Sequence, residues 1–390
     1  MTRGKNKRIS VLAMLASVSL LLTGCWDRLE INDIAIVMAV AVDKEENGNF
    51  RVSIEVPLAS QLGGAKGGGG GTGGSKAYYI DSETGPTFVQ AYTKLQDRMS
   101  RRLKFGHYRV IIIGDEAAKH GVGGIFDVIT RKPENRLTSY MIVAEGTGEE
   151  LMKAQPKLER FSGEAIREIV KQGDLISSNV KDTALSMSHL GSDPVLPFMA
   201  VKKLKEKGNK ESQEIEWLGY AQFHGEKMVD VMRRQAAVGL SWLKNNIKPG
   251  TVIANLEHSE DLIFNVLRSQ TTVTPSLNQD RVEFDVNIDT RITLSENRTK
   301  EDLTNRQVLA KARKMAADQI RAQVDEAIKK IQNTGADSAD FGLKVFRQNP
   351  RAWKAIENEW SEMLKKAEFR VHIKVDITEF GLISENIVRG

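Results

Sequence analysis

Apolar residues fall in two patterns along this chain. In the first half they come in an unbroken run at residues 34–42 and in largely apolar stretches at 108–113 and 139–144. Runs of that length bounded by turn residues predict strands covered on both faces. Elsewhere apolar and polar residues alternate. Phe50, Val52, Ile54, Val56 and Leu58 interleave with Arg51, Ser53 and Glu55, the period-two signature of a half-buried strand. The turn cluster Glu45-Glu46-Asn47-Gly48 joins it to the preceding run as a hairpin. Near the other end Val282, Phe284, Val286, Ile288, Thr290, Ile292 and Leu294 form one face of a long strand, and Phe369, Val371, Ile373, Val375 and Ile377 one face of a closing strand.

Helical spacing fills the intervals. Phe88, Ala91, Tyr92, Leu95, Met99 and Leu103 predict a helix over 87–103. Shorter helices are expected near 124–130, over 148–172, over 182–190 and over 235–245. A long one begins at a capping-box pattern at 299–302 and ends before Gly335, with a stripe from Val308 to Ile331. A further helix carries Trp353, Ile356, Trp360 and Leu364. Between residues 191 and 214 the character changes: Pro194 and Pro197 break the helical pattern, and 202–214 is a charge run read as a solvated hairpin loop. Short strands over 217–223 and 228–232 flank the turn at His224-Gly225-Glu226. The glycine-rich tract 63–74 reads as a flexible loop rather than a phosphate cradle, since no Gly-Lys-Ser/Thr follows.

These elements predict an α+β protein of three domains, built from mixed and antiparallel sheets with packed helices behind a cleaved lipoprotein signal peptide. The expected divisions are 1–24 for the signal, 25–190 for a layered N-terminal domain, 191–260 for a small β-meander with a helix, and 261–390 for a C-terminal α+β domain.

The signal rests on residues of its own. Arg3, Lys5, Lys7 and Arg8 precede an apolar stretch from Ile9 to Leu22. That stretch falls short of the ~20 apolar residues a spanning helix takes, so it reads as a cleaved signal. It closes on Leu22-Thr23-Gly24-Cys25, a lipobox whose small residues fit a signal peptidase and whose thiol can take up diacylglycerol. Two acyl chains give stable membrane attachment at about 0.8 kcal/mol per buried CH₂. Cys25 is the chain's single cysteine, so lipidation leaves no thiol for a disulfide or a thiolate metal site. The formal net charge of +5 includes the four positive residues of the signal and is no nucleic-acid footprint.

A search for chemistry returns no catalytic set, no metal site and no cofactor motif. None of the 6 histidines pairs with another at metal-ligand spacing. His107, at the start of a buried strand, is the one of interest; His224 and His372 read as solvated. The segment from Asp43 to Gly48 imitates a calcium loop, but its twelfth position is Ile54, which has no carboxylate. Nucleophile elbow, zinc-protease helix and Walker A patterns are absent. A pair of carboxylates meeting only in three dimensions stays open. The Trp353 and Trp360 stripe reads as core.

The lipobox runs directly into Trp26-Asp27-Arg28-Leu29-Glu30-Ile31-Asn32-Asp33. Further on stand Phe105-Gly106-His107-Tyr108-Arg109-Val110, the 217–223 strand with Trp242 behind it, Asp340-Phe341-Gly342, Asn349-Pro350-Arg351-Ala352-Trp353, Trp360 and Phe380-Gly381. In this order the chain resembles the Ger(x)C family, the C-subunit lipoproteins of bacterial spore germinant receptors, over nearly its whole mature length. The resemblance implies a non-enzymatic subunit, lipidated at Cys25, on the outer face of the spore inner membrane. It would act with an A subunit and an integral-membrane B subunit, without nucleic acid. The glycine-rich tract departs from the family pattern at a place where a length change is cheap. Two other classes remain open, a solute-binding lipoprotein of a transporter and an envelope hydrolase. The first lacks a pair of similar lobes in the pattern, and the second lacks every constellation except a carboxylate pair.

Overall fold

In the computed structural model the described residues are 30–58, 77–132, 134–172, 175–205, 211–247, 250–257, 260–278, 281–299 and 303–379, together with Met14. The lipobox residues Leu22, Thr23, Gly24 and Cys25, the tract 63–74, His258, most of the expected capping box and Phe380-Gly381 lie outside them.

The N-terminal part runs through β1 (Ile34–Ile36), β2 (Ala39–Lys44), β3 (Phe50–Pro57), β4 (Tyr78–Gly85), α1 (Phe88–Asp97), β5 (Arg102–Lys104), β6 (Val110–Gly114), α2 (Asp115–His120), α3 (Gly123–Arg131), β7 (Tyr140–Ala144), α4 (Gly148–Lys153), α5 (Ser162–Lys171) and α6 (Val180–Ser188). Then come β8 (Val195–Lys205), β9 (Glu211–His224), β10 (Lys227–Arg233) and α7 (Arg234–Leu243). The first sheet has eight strands in the order β10-β9-β8-β7-β6-β2-β3-β4. Its centre, β2, β6, β7 and β8, is parallel and its flanks are antiparallel.

The central strands bury both faces. Val40, Val42, Ile111 and Ile113 enter one core with residues of α1, α2 and α3. Ala39, Ala41, Val110 and Ile112 enter another with residues of α4 and α5. Continuous apolar runs are what such strands require. The run 34–42 is nonetheless split. β1 pairs with β5 in a two-stranded parallel sheet, and the chain passes into β2 through Val37 and Met38, whose N–H groups bond Lys104 and Glu55 carbonyls.

Three expected elements change. The helix over 87–103 stops at Asp97, because the Gln96 side chain engages the backbone of Arg101 and Leu103, and Leu103 is buried as a β5 residue instead. The helix over 148–172 is two helices, with Pro156 in the interval that separates them. Most of the charge run belongs to strands: Lys202–Lys205 lie in β8 and Glu211–Glu214 in β9, paired antiparallel.

The remaining elements are β11 (Thr251–Glu257), β12 (Glu260–Asn278), β13 (Arg281–Asn297), α8 (Arg306–Thr334), α9 (Phe341–Gln348), α10 (Pro350–Ile356), α11 (Trp360–Lys365) and β14 (Glu368–Glu379). The second sheet has the order β11-β12-β13-β14. It is mixed rather than antiparallel throughout, because β14 runs parallel to β13 after a long helical crossover. α8 lays Ala312, Ala316, Ile320, Val324, Ala327, Ile328 and Ile331 into the core and ends at Gly335, whose φ of 72° is left-handed. Its N-cap is Asn305, bonded to the Gln307 N–H, not Thr299. The expected helix through Trp353 and Trp360 consists of short helical pieces, and both indoles are buried as core.

Segment 191–260 has no sheet of its own among the described residues. β8, β9 and β10 extend the first sheet, while β11 begins the second. α7 packs against α8 so tightly that a Cβ on Gly239 would stand 1.9 Å from the Gln323 carbonyl oxygen. Trp242 Nε1 donates to Gln323 Oε1 at 3.0 Å in the same contact.

Candidate functional site

The residues singled out for chemistry do not converge. His107 is exposed in a turn before β6, its Nδ1 3.1 Å from Arg136 Nη2. His120 ends α2 with its ring edge-on to Phe50, and His372 is exposed on the outer face of β14. His224 sits in the β9–β10 turn with Nδ1 3.2 Å from Asp193 Oδ2, a bond that raises its pKa. Among the described residues no group of three His, Cys, Asp or Glu side chains is placed to hold a metal ion. The calcium-loop imitation is a hairpin turn, closed by the Gly48 N–H on the Glu45 carbonyl. Glu45 is drawn to Arg51 at 2.6 Å.

Buried carboxylates do gather, and most escaped the sequence reading. Two lie beneath the helices on one face of the first sheet. Asp43, on β2, accepts from the Gly148 and Glu149 N–H groups at 2.6 and 3.0 Å and so caps α4. Glu55, on β3, accepts from the Gly163 N–H at 3.1 Å and the Ser162 hydroxyl at 3.0 Å and so caps α5. An acid beneath a helix N-terminus meets unpaired N–H groups and the positive end of the helix dipole. Close approach depends on small residues: a Cβ on Gly163 would come within 2.8 Å of Ala39 Cβ, and one on Gly148 within 3.1 Å of Ala41 Cβ. Burial nevertheless outweighs the hydrogen bonds and drives Glu55 to about 7.

The other group joins the two sheets. Asp193, in the loop before β8, accepts from the Gly225 N–H through one oxygen and from the Asp337 N–H through the other, at 2.7 Å each. The backbone pairs again in reverse, with the Asp193 N–H on the Asp337 carbonyl at 2.9 Å. Asp337 is fully buried and accepts from the N–H groups of Phe341 and Gly342 and from Trp360 Nε1. Burial pushes its carboxyl up to about 7 against these donors. Beside it Asp340 adopts left-handed backbone, φ 57°, and bonds Ser192 Oγ and Lys244 Nζ, each at 2.6 Å. Burial works to raise Asp340, but the Lys244 ammonium and the Ser192 hydroxyl prevail and hold it below its ordinary value.

Gly191 completes the junction. Its φ is +90°, and a Cβ there would lie 2.4 Å from the Trp353 ring and 2.9 Å from Gly342 Cα. The motif residues Asp340, Phe341, Gly342, Trp353 and Trp360 thus meet in space around this contact. The carboxylates are occupied by main-chain, indole, hydroxyl or ammonium donors, so the arrangement is chemically a clasp between two parts of one chain. Sequence signals for it existed in the Asp340-Phe341-Gly342 motif and in Gly191, but nothing local linked them to Asp193.

No described helix is long and apolar enough to cross a membrane. Residues 27–201 match the N-terminal domain family of spore germination proteins, and residues 218–381 match the spore germination B3/GerAC-like C-terminal family. The interval between them falls in the β8–β9 hairpin, so both families contribute strands to the first sheet. YfkR of Bacillus subtilis (strain 168) is 31% identical over 376 residues, covering 95% of this chain and 96% of YfkR. Spore germination protein KC of the same organism is 24% identical, covering 97% of each chain. Spore germination protein GerQC of Bacillus cereus is 23% identical over 94% of this chain and 97% of its own. The crystal structure of the GerBC protein shares the fold at a TM-score of 0.50 and 14% identity, covering 87% of this chain and 96% of that one. On this similarity along both halves, the chain belongs to the GerAC-like family of spore germination proteins.

Proposed function

We propose that this protein is a non-enzymatic, lipid-anchored C subunit of a spore germinant receptor. It acts with an A subunit and an integral-membrane B subunit on the outer face of the spore inner membrane. The observation that carries this reading is the match to spore germination relatives along 94–97% of the chain. Cys25 is the proposed lipidation site and Leu22, Thr23 and Gly24 the processing signal. An anchor confines the folded part to a surface and raises its effective concentration beside an integral partner, so modest contacts suffice for assembly. The carboxylates brought together by the fold serve helix caps and the clasp, which supports a scaffold rather than a hydrolase.

The test is Cys25→Ala in spores, followed by membrane fractionation and nutrient-triggered germination. The variant should leave the membrane fraction, lose the nutrient response and keep its circular dichroism, since the cysteine serves only the anchor. Unchanged tight membrane association would overturn the anchor, and unchanged germination would overturn its role. Calorimetry of the soluble region, residues 26–390, against amino acids, sugars and nucleosides should show no saturable heat. A stoichiometric micromolar ligand among them would replace this reading with a solute-binding one.

A further inference from the structure

The parallel strands β2, β6 and β7 start level with one another: Ala39 lies beside Val110, and Val110 beside Tyr140. The segments that lead into them therefore gather at one end of the first sheet. Main-chain bonds hold them there, from the Val37 N–H to the Lys104 carbonyl, the Arg109 N–H to the Met38 carbonyl and the Tyr140 N–H to the Arg109 carbonyl. β1 and β5 belong to this end, with Ile34 beside Arg102. Segments 30–38, 101–109 and 131–139 together hold seven Lys and Arg against three Asp and Glu. Segments 43–49, 114–116 and 145–150, where the same strands finish, hold one against eight. The first sheet is thus positive at its starting end and negative at the other.

Part of the positive charge is neutralised within the chain. Lys104, Arg109 and Arg131 meet Glu134, Glu164 and Asp127. Arg101, Arg102, Lys132 and Arg136 have no carboxylate within ion-pair distance among the described residues. Lys132 lies over the Tyr92 ring, its Nζ 4.5 Å from the ring centre, and Arg136 meets only the His107 imidazole. Arg101, Arg102 and Arg136 are exposed and Lys132 is half-exposed. Two apolar side chains stand out at the same end, Ile31 at 75% and Leu137 at 48% exposure. Like charges gathered without acids repel one another and favour an anionic partner.

We propose that this end of the first sheet docks on an anionic lipid surface, with Arg101, Arg102, Lys132 and Arg136 against lipid phosphates and Ile31 and Leu137 at the headgroup boundary. The proposal rests on the anchor at Cys25. Glu30, at the entrance to the fold, follows Cys25 by only five residues. Fully extended, five residues reach roughly 18 Å. An anchored Cys25 therefore keeps the basic end beside the headgroups whatever path the tether takes. Charges at a surface act over about 8 Å at physiological salt. The acidic end stands beyond that reach, since β6 alone spans 5 residues, about 17 Å. The guanidinium fork suits phosphate oxygens, and each Lys or Arg near an anionic surface strengthens binding about fivefold. The anchor thus fixes which membrane the protein meets, and the charge fixes which end faces it.

The test is co-sedimentation of residues 26–390, which lack the anchor but keep every element of the fold, with two kinds of vesicle. One is phosphatidylcholine alone, and the other phosphatidylcholine and phosphatidylglycerol in equal parts. The chain should bind the second and not the first, and release as salt is added. Arg101→Gln with Arg102→Gln, both exposed, should weaken binding about twentyfold. Adding Lys132→Gln and Arg136→Gln should abolish it, while Arg101→Lys with Arg102→Lys should retain most of it. Glu46→Gln with Glu116→Gln and Glu150→Gln raises the net charge at the far end and should change nothing. Equal binding to both vesicles would overturn the proposal. So would anionic binding that survives the fourfold variant with its circular dichroism unchanged, or that strengthens with the far-end variant. Displacement by inorganic phosphate at the same phosphate concentration would mark a site for the free ion and overturn it too. The anchor plays no part in this experiment, so its failure leaves the receptor reading standing. In spores a salt wash separates the two, because docking is salt-labile and acyl attachment is not.

Discussion

Strand β3 alternates Val52, Ile54 and Val56 with Arg51, Ser53 and Glu55, and strand β13 alternates Val282, Phe284 and Val286 with Glu283, Asp285 and Asn287. The two patterns are written alike, yet they end in opposite environments. On β3, Ser53 and Glu55 are fully buried, because α5 covers the face they occupy. On β13 the polar residues stay on an open face, where Glu283, Asp285 and Asp289 meet Arg370 and Lys374 of the neighbouring strand. A period of two says which residues share a face. Whether that face is wet depends on what the rest of the chain lays over it. The first sheet has helices on both sides and turns its strand acids into helix caps; the second packs its helices on one side and leaves its strand acids as surface charge.

The most damaging change to this arrangement should be Gly191→Ala. A left-handed backbone disfavours any side chain, and the added Cβ overlaps Trp353 and Gly342 across the clasp. The expected loss is about 2–5 kcal/mol, the sum of backbone strain and overpacking. Urea unfolding followed by tryptophan fluorescence and by far-ultraviolet circular dichroism would check it. In the unaltered chain the two transitions should coincide. In the variant the fluorescence change should come first, since Trp353 and Trp360 lie at the clasp. Coincident transitions at an unchanged midpoint would mean that the sheets are held together elsewhere.

Glu55→Ala against Asp285→Ala tests the comparison directly. The first leaves the Gly163 N–H without its acceptor and opens a void under α5, which should cost about 2–3 kcal/mol. The second alters a half-exposed residue on the open face and should stay within about 0.5 kcal/mol. Equal costs would show that the two strands are not distinguished by their cover.

The same acids set the pH response. Glu55 rises from 4.5 and Asp337 from 3.8, each to about 7 in the folded protein. Between those limits the folded state binds more protons than the unfolded chain, so stability decreases as pH increases. These contributions are complete below the unfolded values and are lost as pH climbs toward 7. His224, also raised, has the same sign. Each carboxyl contributes up to about 1.4 kcal/mol per pH unit within its window. Glu55→Gln keeps an acceptor without a titrating group, so it should flatten the dependence of the urea midpoint between pH 5 and 7. An unaltered slope would show that Glu55 does not titrate there.

Much of the fold was legible because local pattern and final packing agree. The runs of β2, β6 and β7, the alternation of β13 and β14, the stripe of α8 and the Gly335 stop all have short-range causes. What escaped has long-range ones. Met99 and Leu103 continue the helical spacing of α1, but Leu103 gains more by pairing in β5 beside β1. β8–β10 read as a separate meander because nothing in their own sequence records that β8 lies beside β7. The clasp was unreadable for the same reason: Asp193 and Asp337 are far apart in the chain, and each alone looks like a loop aspartate.

The smallest expected effect lies on the open face, where β13 and β14 carry paired charges. Arg370 Nη2 is 2.6 Å from Glu283 Oε2, with side-chain exposures of 56% and 18%. Water screens such a pair, and ordering two long side chains offsets part of the attraction. A double-mutant cycle with Arg370→Ala and Glu283→Ala should therefore give a coupling of about 0.5 kcal/mol that shrinks as salt is added. Glu283 is the better-covered partner, and Arg370 also reaches Asp285 at 4.0 Å, so Arg370→Ala should cost slightly more than Glu283→Ala. A coupling above about 2 kcal/mol that ignores salt would place this face under cover. It would then join the acids of the first sheet rather than stand against them.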